Sequence, residues 1–119
     1  MKTDRELLEL AAKAAGIPCD EVGPYKDAKR IDFEDYGCVE QEVRYAWNPL
    51  ADDGDALRLA VKLKMKLWHS DCGAYADHES LPEDMRPCRE DARNDRNAAT
   101  RRTIVRAAAE IQRQREASK

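Results

Sequence analysis

His69, Cys72, His78 and Cys88 fall within twenty positions of one another and carry the side chains that hold zinc. They are separated by two, five and nine residues, without the paired Cys-x2-Cys or His-x3-His rhythm of zinc modules. They are therefore weak metal candidates, and a hairpin with incidental His and Cys accounts for them. His69 and Cys72 are also the types needed for a base and a thiol nucleophile. No Gly-rich or helix-start cluster of amides follows Cys72 to receive an oxyanion, so a thiol enzyme is disfavoured.

Carboxylates gather at Asp52, Asp53 and Asp55, with Asp27 or Asp35 as conceivable additions. Acids at a helix start accept from unpaired first-turn amides and face the positive end of the helix dipole, which accounts for the cluster without metal or glycosidic chemistry. Gly54 stands alone, with no phosphate loop or dinucleotide fingerprint around it. No catalytic residue and no cofactor are expected.

The strongest functional hint is cationic. Arg102, Arg106 and Arg113 share one side of a C-terminal helix, with Arg101 adjacent, and a guanidinium grips phosphate or carboxylate with two parallel hydrogen bonds. Glu110 lies on the same stripe and can pair with Arg106, which favours a self-satisfied surface helix. Trp47 and Trp68 are either partner anchors or core residues, and a chain with 6% aromatics favours the core.

These groups need elements to place them. Thr3 and Glu6 have capping-box spacing, Leu7, Leu10, Ala11 and Ala14 recur at helical period, and Gly16 with Pro18 supplies a stop. Pro18 to Lys29 reads as a loop. Alternation predicts strands over Arg30 to Tyr36 and Val39 to Trp47, reversing near Gly37. A second helix is expected from about Asp53 to Leu63, and its broad apolar stripe marks it as the most buried. Met65 and Leu67 then alternate with Lys64, Lys66 and Trp68 as a third strand; Ser70 to Gly73 turn, and Ala74 to His78 return as a short fourth. Glu79 to Arg93, with two prolines and few apolar residues, is expected to be a surface excursion with one helical turn. An Ala- and Arg-rich helix closes the chain from about Asn94 or Asp95 to Gln114, with Ile104, Ala108 and Ile111 at helical spacing.

The chain's 119 residues suit one domain, 1–119, with a single core. No apolar run can span a bilayer and no signal segment opens the chain, so a cytoplasmic protein with no membrane partner is expected, and Cys19, Cys38, Cys72 and Cys88 as reduced thiols. Net charge is -3 but uneven: from Arg89 onward nine Lys and Arg face five Asp and Glu, against twelve and nineteen before. An acidic body thus carries a basic tail helix.

Three blocks resemble a known group: Asp4 to Gly16 (DRELLELAAKAAG), Trp47 to Leu63 (WNPLADDGDALRLAVKL) and Ala98 to Ile111 (AATRRTIVRAAAEI). They are similar, in the same order, to small proteins of tailed bacteriophages and prophages. The resemblance covers roughly a third of the chain; Glu79 to Arg93 and the Lys-rich strand before it depart from the group. It implies a context rather than a mechanism, since small phage proteins of this sort act by binding a host enzyme, a defence complex or the phage's own replication or transcription apparatus.

The expected fold is α+β, a three- to four-stranded antiparallel sheet covered by three helices in the order α-β-β-α-β-β-α. Ile31, Phe33, Val39, Val43, Tyr45 and Leu67 should form its dry face against Leu57, Val61, Ile104 and Ile111. The expected function is non-catalytic binding to a host or phage macromolecular complex in a bacterial host, a counter-defence inhibitor of anti-CRISPR type being one form. Partner contacts are expected at Arg101, Arg102, Arg106, Arg113, Trp68 and Tyr75. The rival readings are a nucleic-acid-binding regulator using the same Arg-lined helix, and, less favoured, a zinc or thiol enzyme.

Overall fold

The protein's structure, a computed structural model, describes residues 3–17 and 47–118. The strands expected over Arg30 to Tyr36 and Val39 to Trp47 therefore lie outside the described residues, apart from Trp47. So do Asp27, Asp35, Cys19, Cys38 and the core candidates from Ile31 to Tyr45.

Helix α1 spans Asp4–Ala15. Thr3 caps it, its Oγ1 accepting from the Glu6 amide at 3.2 Å, and Gly16 closes it at φ 75, a left-handed conformation that only glycine adopts without a steric penalty. Asn48 opens the turn into α2, Asp53–Lys62: its carbonyl accepts from the Ala51 and Asp52 amides, and its side chain from the Leu50 amide at 3.1 Å. Asp52 caps α2 through the Asp55 amide at 2.8 Å, and Asp55, itself buried, reaches back to the Asn48 amide at 2.9 Å. One carboxylate thereby ties the turn to the helix it precedes.

Helix α2 corrects an expectation. Ala56, Leu59, Ala60 and Leu63 repeat at i, i+3, i+4, i+7 and are buried, whereas Leu57 is 58% exposed and Val61 68% exposed. A ten-residue helix turns one stripe inward, and Leu57 and Val61 stand about 100° round from it. Beyond α2, Lys64 does not begin a strand; it holds φ 57 and closes the helix end, its amide and that of Met65 returning to Val61 and Ala60.

Strands β1 (Lys66–His69), β2 (Gly73–Asp77) and β3 (Cys88–Asp91) form an antiparallel sheet in the order β1-β2-β3. The short return expected over Ala74 to His78 is β2. Strand β3 revises the expected excursion at 79–93: the single helical turn is present as a 3-10 turn at Glu83–Met85, but Cys88–Asp91 pairs with β2, and Leu81 and Cys88 are buried. The physical reason is that Cys88 and Glu90 need only one covered side, and α3 covers it.

Helix α3, Arg96–Ala117, buries nine residues against four in α2, which is therefore not the most buried helix, and it lies against α1, α2, β2 and β3. Ile104, Val105, Ala107, Ala108 and Ile111 are buried, and Thr103, fully buried, donates its hydroxyl proton to the Cys88 carbonyl at 3.1 Å. Against α1 the contact is built from small residues, Ala11 and Ala12 facing a core that includes Ala107 and Ala108. Among the described residues, three helices and a three-stranded antiparallel sheet thus make an α+β fold. No helix among the described residues is long and apolar enough to cross a membrane.

Candidate functional site

Side chains alternate across a strand, so the register sorts the sheet into two faces. Leu67, His69, Ala74, Ala76, Cys88 and Glu90 share the face turned to α3, where Ala74, Ala76 and Cys88 are buried. Lys66, Trp68, Tyr75, Asp77, Arg89 and Asp91 share the other. Trp68, expected in the core, is 42% exposed there; Leu67 took the inward position of β1 and left Trp68 with the lysines.

Trp68 pairs with Tyr75 and Tyr75 with Arg89, one residue from each strand in a single cross-strand row. The two rings stack, centroids 5.3 Å apart and planes within 4°, and the Arg89 guanidinium lies 5.9 Å from the Tyr75 centroid. Arg89 also donates Nε to the Tyr75 hydroxyl at 3.4 Å and Nη2 to the Cys72 carbonyl at 3.4 Å. Gly73 makes room for this row: a Cβ there would lie 2.9 Å from the Tyr75 hydroxyl and 3.0 Å from Arg89 Nε. The hydrogen bond with Ser70, then that from Arg89, holds the Tyr75 phenol below its ordinary pKa.

Salt clamps flank the row. Arg86 forks onto Asp77 at 2.8 and 2.9 Å and keeps that carboxyl below its usual range. Arg93, through its side chain and amide, pulls Asp91 down to about 2.

The arginines of α3 are placed differently. Arg101 donates to the Leu50 carbonyl at 2.9 Å and pairs with Asp53; Arg102 pairs with Asp4 at 3.0 Å; Arg106 pairs with Glu90 and donates to the Arg89 carbonyl at 3.0 Å. Glu110 pairs with Arg113 at 3.0 Å rather than with Arg106. Every one of the four candidates is thus engaged within the fold.

The four zinc candidates do not converge. His69 Nε2 sits 2.7 Å from Thr100 Oγ1, whose proton goes to the Arg96 carbonyl, so His69 is the donor; it faces α3 while Cys72 lies exposed beside Arg89. His78 Nδ1 accepts from the Ser80 amide, and Cys88 is buried. No group of three metal-ligating side chains occurs among the described residues. A groove of about 720 Å³ lies along α3 between α1 and β3, with Leu7, Leu81 and Met85 beside Glu90 and Glu110. Both carboxylates are occupied there by guanidinium groups.

Arg89, Gly73 and Lys66 were not singled out from the sequence as site residues. The alternation of Cys88 and Glu90 with Arg89 and Asp91 is the signal for the strand that carries Arg89, and it is short. No protein-family model, curated protein or solved structure matches the chain.

Proposed function

We propose that this protein acts by non-catalytic binding to a protein component of a host or phage macromolecular complex, through the sheet face bearing Trp68, Tyr75 and Arg89. A counter-defence inhibitor is one form of that activity. The observation that supports the reading is the exposed, pre-stacked Trp-Tyr-Arg row, since these three residue types dominate binding energy at protein interfaces and their mutual stacking lowers the entropy of ordering them.

Two further observations favour it over the Arg-lined helix. Four of the six guanidinium groups of α3 are committed to Asp4, Asp53, Glu90 and Glu110, and Arg96 and Arg115 donate to backbone carbonyls, which leaves that helix few free donors for phosphate. The three blocks that resemble phage proteins also meet one another, Arg101 reaching Leu50 and Asp53 and Arg102 reaching Asp4, so they form a scaffold while the binding face lies in the strands outside them.

Quantitative capture from host lysate tests the proposal. A Trp68→Ala, Tyr75→Ala variant is expected to lose at least about tenfold of the specifically captured protein, as truncated interface anchors do, while Arg102→Gln, Arg106→Gln retains it. Equal capture by the wild type and the aromatic variant would refute the assignment.

A further inference from the structure

We infer that the sheet face takes an acidic protein segment, its carboxylates meeting Lys66 and Arg89 on either side of the Trp68–Tyr75 stack. This deepens the binding reading above and rests on it.

The chain as a whole carries a net charge of -3, but this face does not. On the face itself Lys66 and Arg89 stand with Asp77 and Asp91, each carboxylate already held from the margin by an arginine, and Glu79 and Glu83 lie near Arg86. Lys66 lies opposite Asp77, whose two oxygens are taken by Arg86. Arg89 spends its donors on a phenol, a carbonyl and a thiol, not on an acid. Lys64 is exposed beside Lys66, and no ion pair joins it to a carboxylate among the described residues. Lys66 and Arg89 thus make no ion pair among the described residues, and both adjoin the exposed aromatics.

Spacing narrows the shape of the occupant. Two strand separations carry the row from Trp68 to Arg89, about 10 Å, and Lys66 lies about 7 Å along β1 from Trp68. The two cations are thus about 12 Å apart across the stack. An extended segment advances about 3.3 Å per residue and alternates its side chains, so carboxylates four positions apart on one side of it reach both while the residue midway between them meets the stack. Single-stranded nucleic acid fits less well. Tyr75 has one ring face against Trp68 and the other toward Arg89, so only the outer face of Trp68 is left for a base, and successive stacking has no platform.

The test uses a Trp47→Phe chain, in which Trp68 is the sole tryptophan. Poly-L-glutamate, poly-L-lysine and a fifteen-nucleotide oligothymidylate are titrated against its emission at low and physiological salt. Poly-L-glutamate is expected to give a saturable change that weakens as the screening length falls from about 30 Å to about 8 Å. Lys66→Gln with Arg89→Gln, verified as folded by circular dichroism, is expected to weaken it about tenfold.

No saturable response to poly-L-glutamate, an unchanged affinity in the folded double variant, or tighter binding of oligothymidylate would each overturn the inference. If that happens while Trp68→Ala, Tyr75→Ala still loses the captured partner, the face remains a binding surface and only its acidic specificity falls. If the aromatic variant keeps the partner, the binding reading falls with it.

Discussion

Lys64 occupies a left-handed conformation at φ 57, where a Cβ costs about 1–2 kcal/mol and glycine pays nothing. Lys64→Gly should therefore raise stability by about 1 kcal/mol in a denaturant titration, after the greater freedom of glycine in the unfolded chain is offset. Tyr75 is the residue whose ionisation reports on the Trp68–Tyr75–Arg89 row. Its pKa lies below 10.0, so as pH rises it ionises ahead of an unfolded tyrosine and the fold gains stability in that interval. Absorbance titration should place the transition that Tyr75→Phe abolishes below that of an unfolded tyrosine, and Arg89→Met should raise it. Asp77 has the acid counterpart of this sign. Its depressed pKa contributes stability above 3.8 that is lost as pH falls through the folded value, so Asp77→Asn should flatten the acid limb of the stability curve. In the sequence, the alternation of Lys64, Lys66 and Trp68 with Met65 and Leu67 already placed Trp68 on the polar side. The general tendency of scarce aromatics to be buried pointed inward, and the local period of two was the better guide.

The elements were legible where their signals were local. The Thr3 cap, the Gly16 stop, the acidic start of α2 and the spacing of Ile104 and Ile111 each act within a turn or two of the chain, and each is where the spacing puts it. Two element-scale features depended on tertiary contacts instead. Which of two adjacent apolar stripes α2 buries is decided by Asp55, which must face Asn48 and so brings Ala56, Leu59 and Ala60 inward with it. Strand β3 is four residues long, carries three charges and is held by pairing with β2 and by Thr103 from above, none of which a propensity reading detects. Asp55→Ala would strand the buried Asn48 amide, and a loss of about 2–3 kcal/mol is expected on thermal or denaturant unfolding. Ala11→Leu would force extra volume into the fully buried side of α1, costing about 1–3 kcal/mol by the same measurement.

Across the whole molecule, the basic tail helix and the acidic body turn out to be two halves of one set of contacts. Arg101, Arg102 and Arg106 reach Asp53, Asp4 and Glu90 on three different elements, which places much of the uneven charge along the chain inside the fold rather than on a partner. Exposed pairs of this kind contribute about 0–1 kcal/mol each, so their role is chiefly to orient α1, α2 and β3 around α3. They do not reach the far side of the sheet, where Lys66 and Arg89 make no ion pair among the described residues. The composition that suggested an Arg-lined interface showed the residue type but not its pairing within the fold, because partners up to 98 positions away are invisible along the chain. The most direct check is acrylamide quenching of Trp68 in the Trp47→Phe chain, alone and in its purified partner complex. Strong protection of Trp68 in the complex is expected; a tryptophan as accessible bound as free would mean that the partner sits elsewhere.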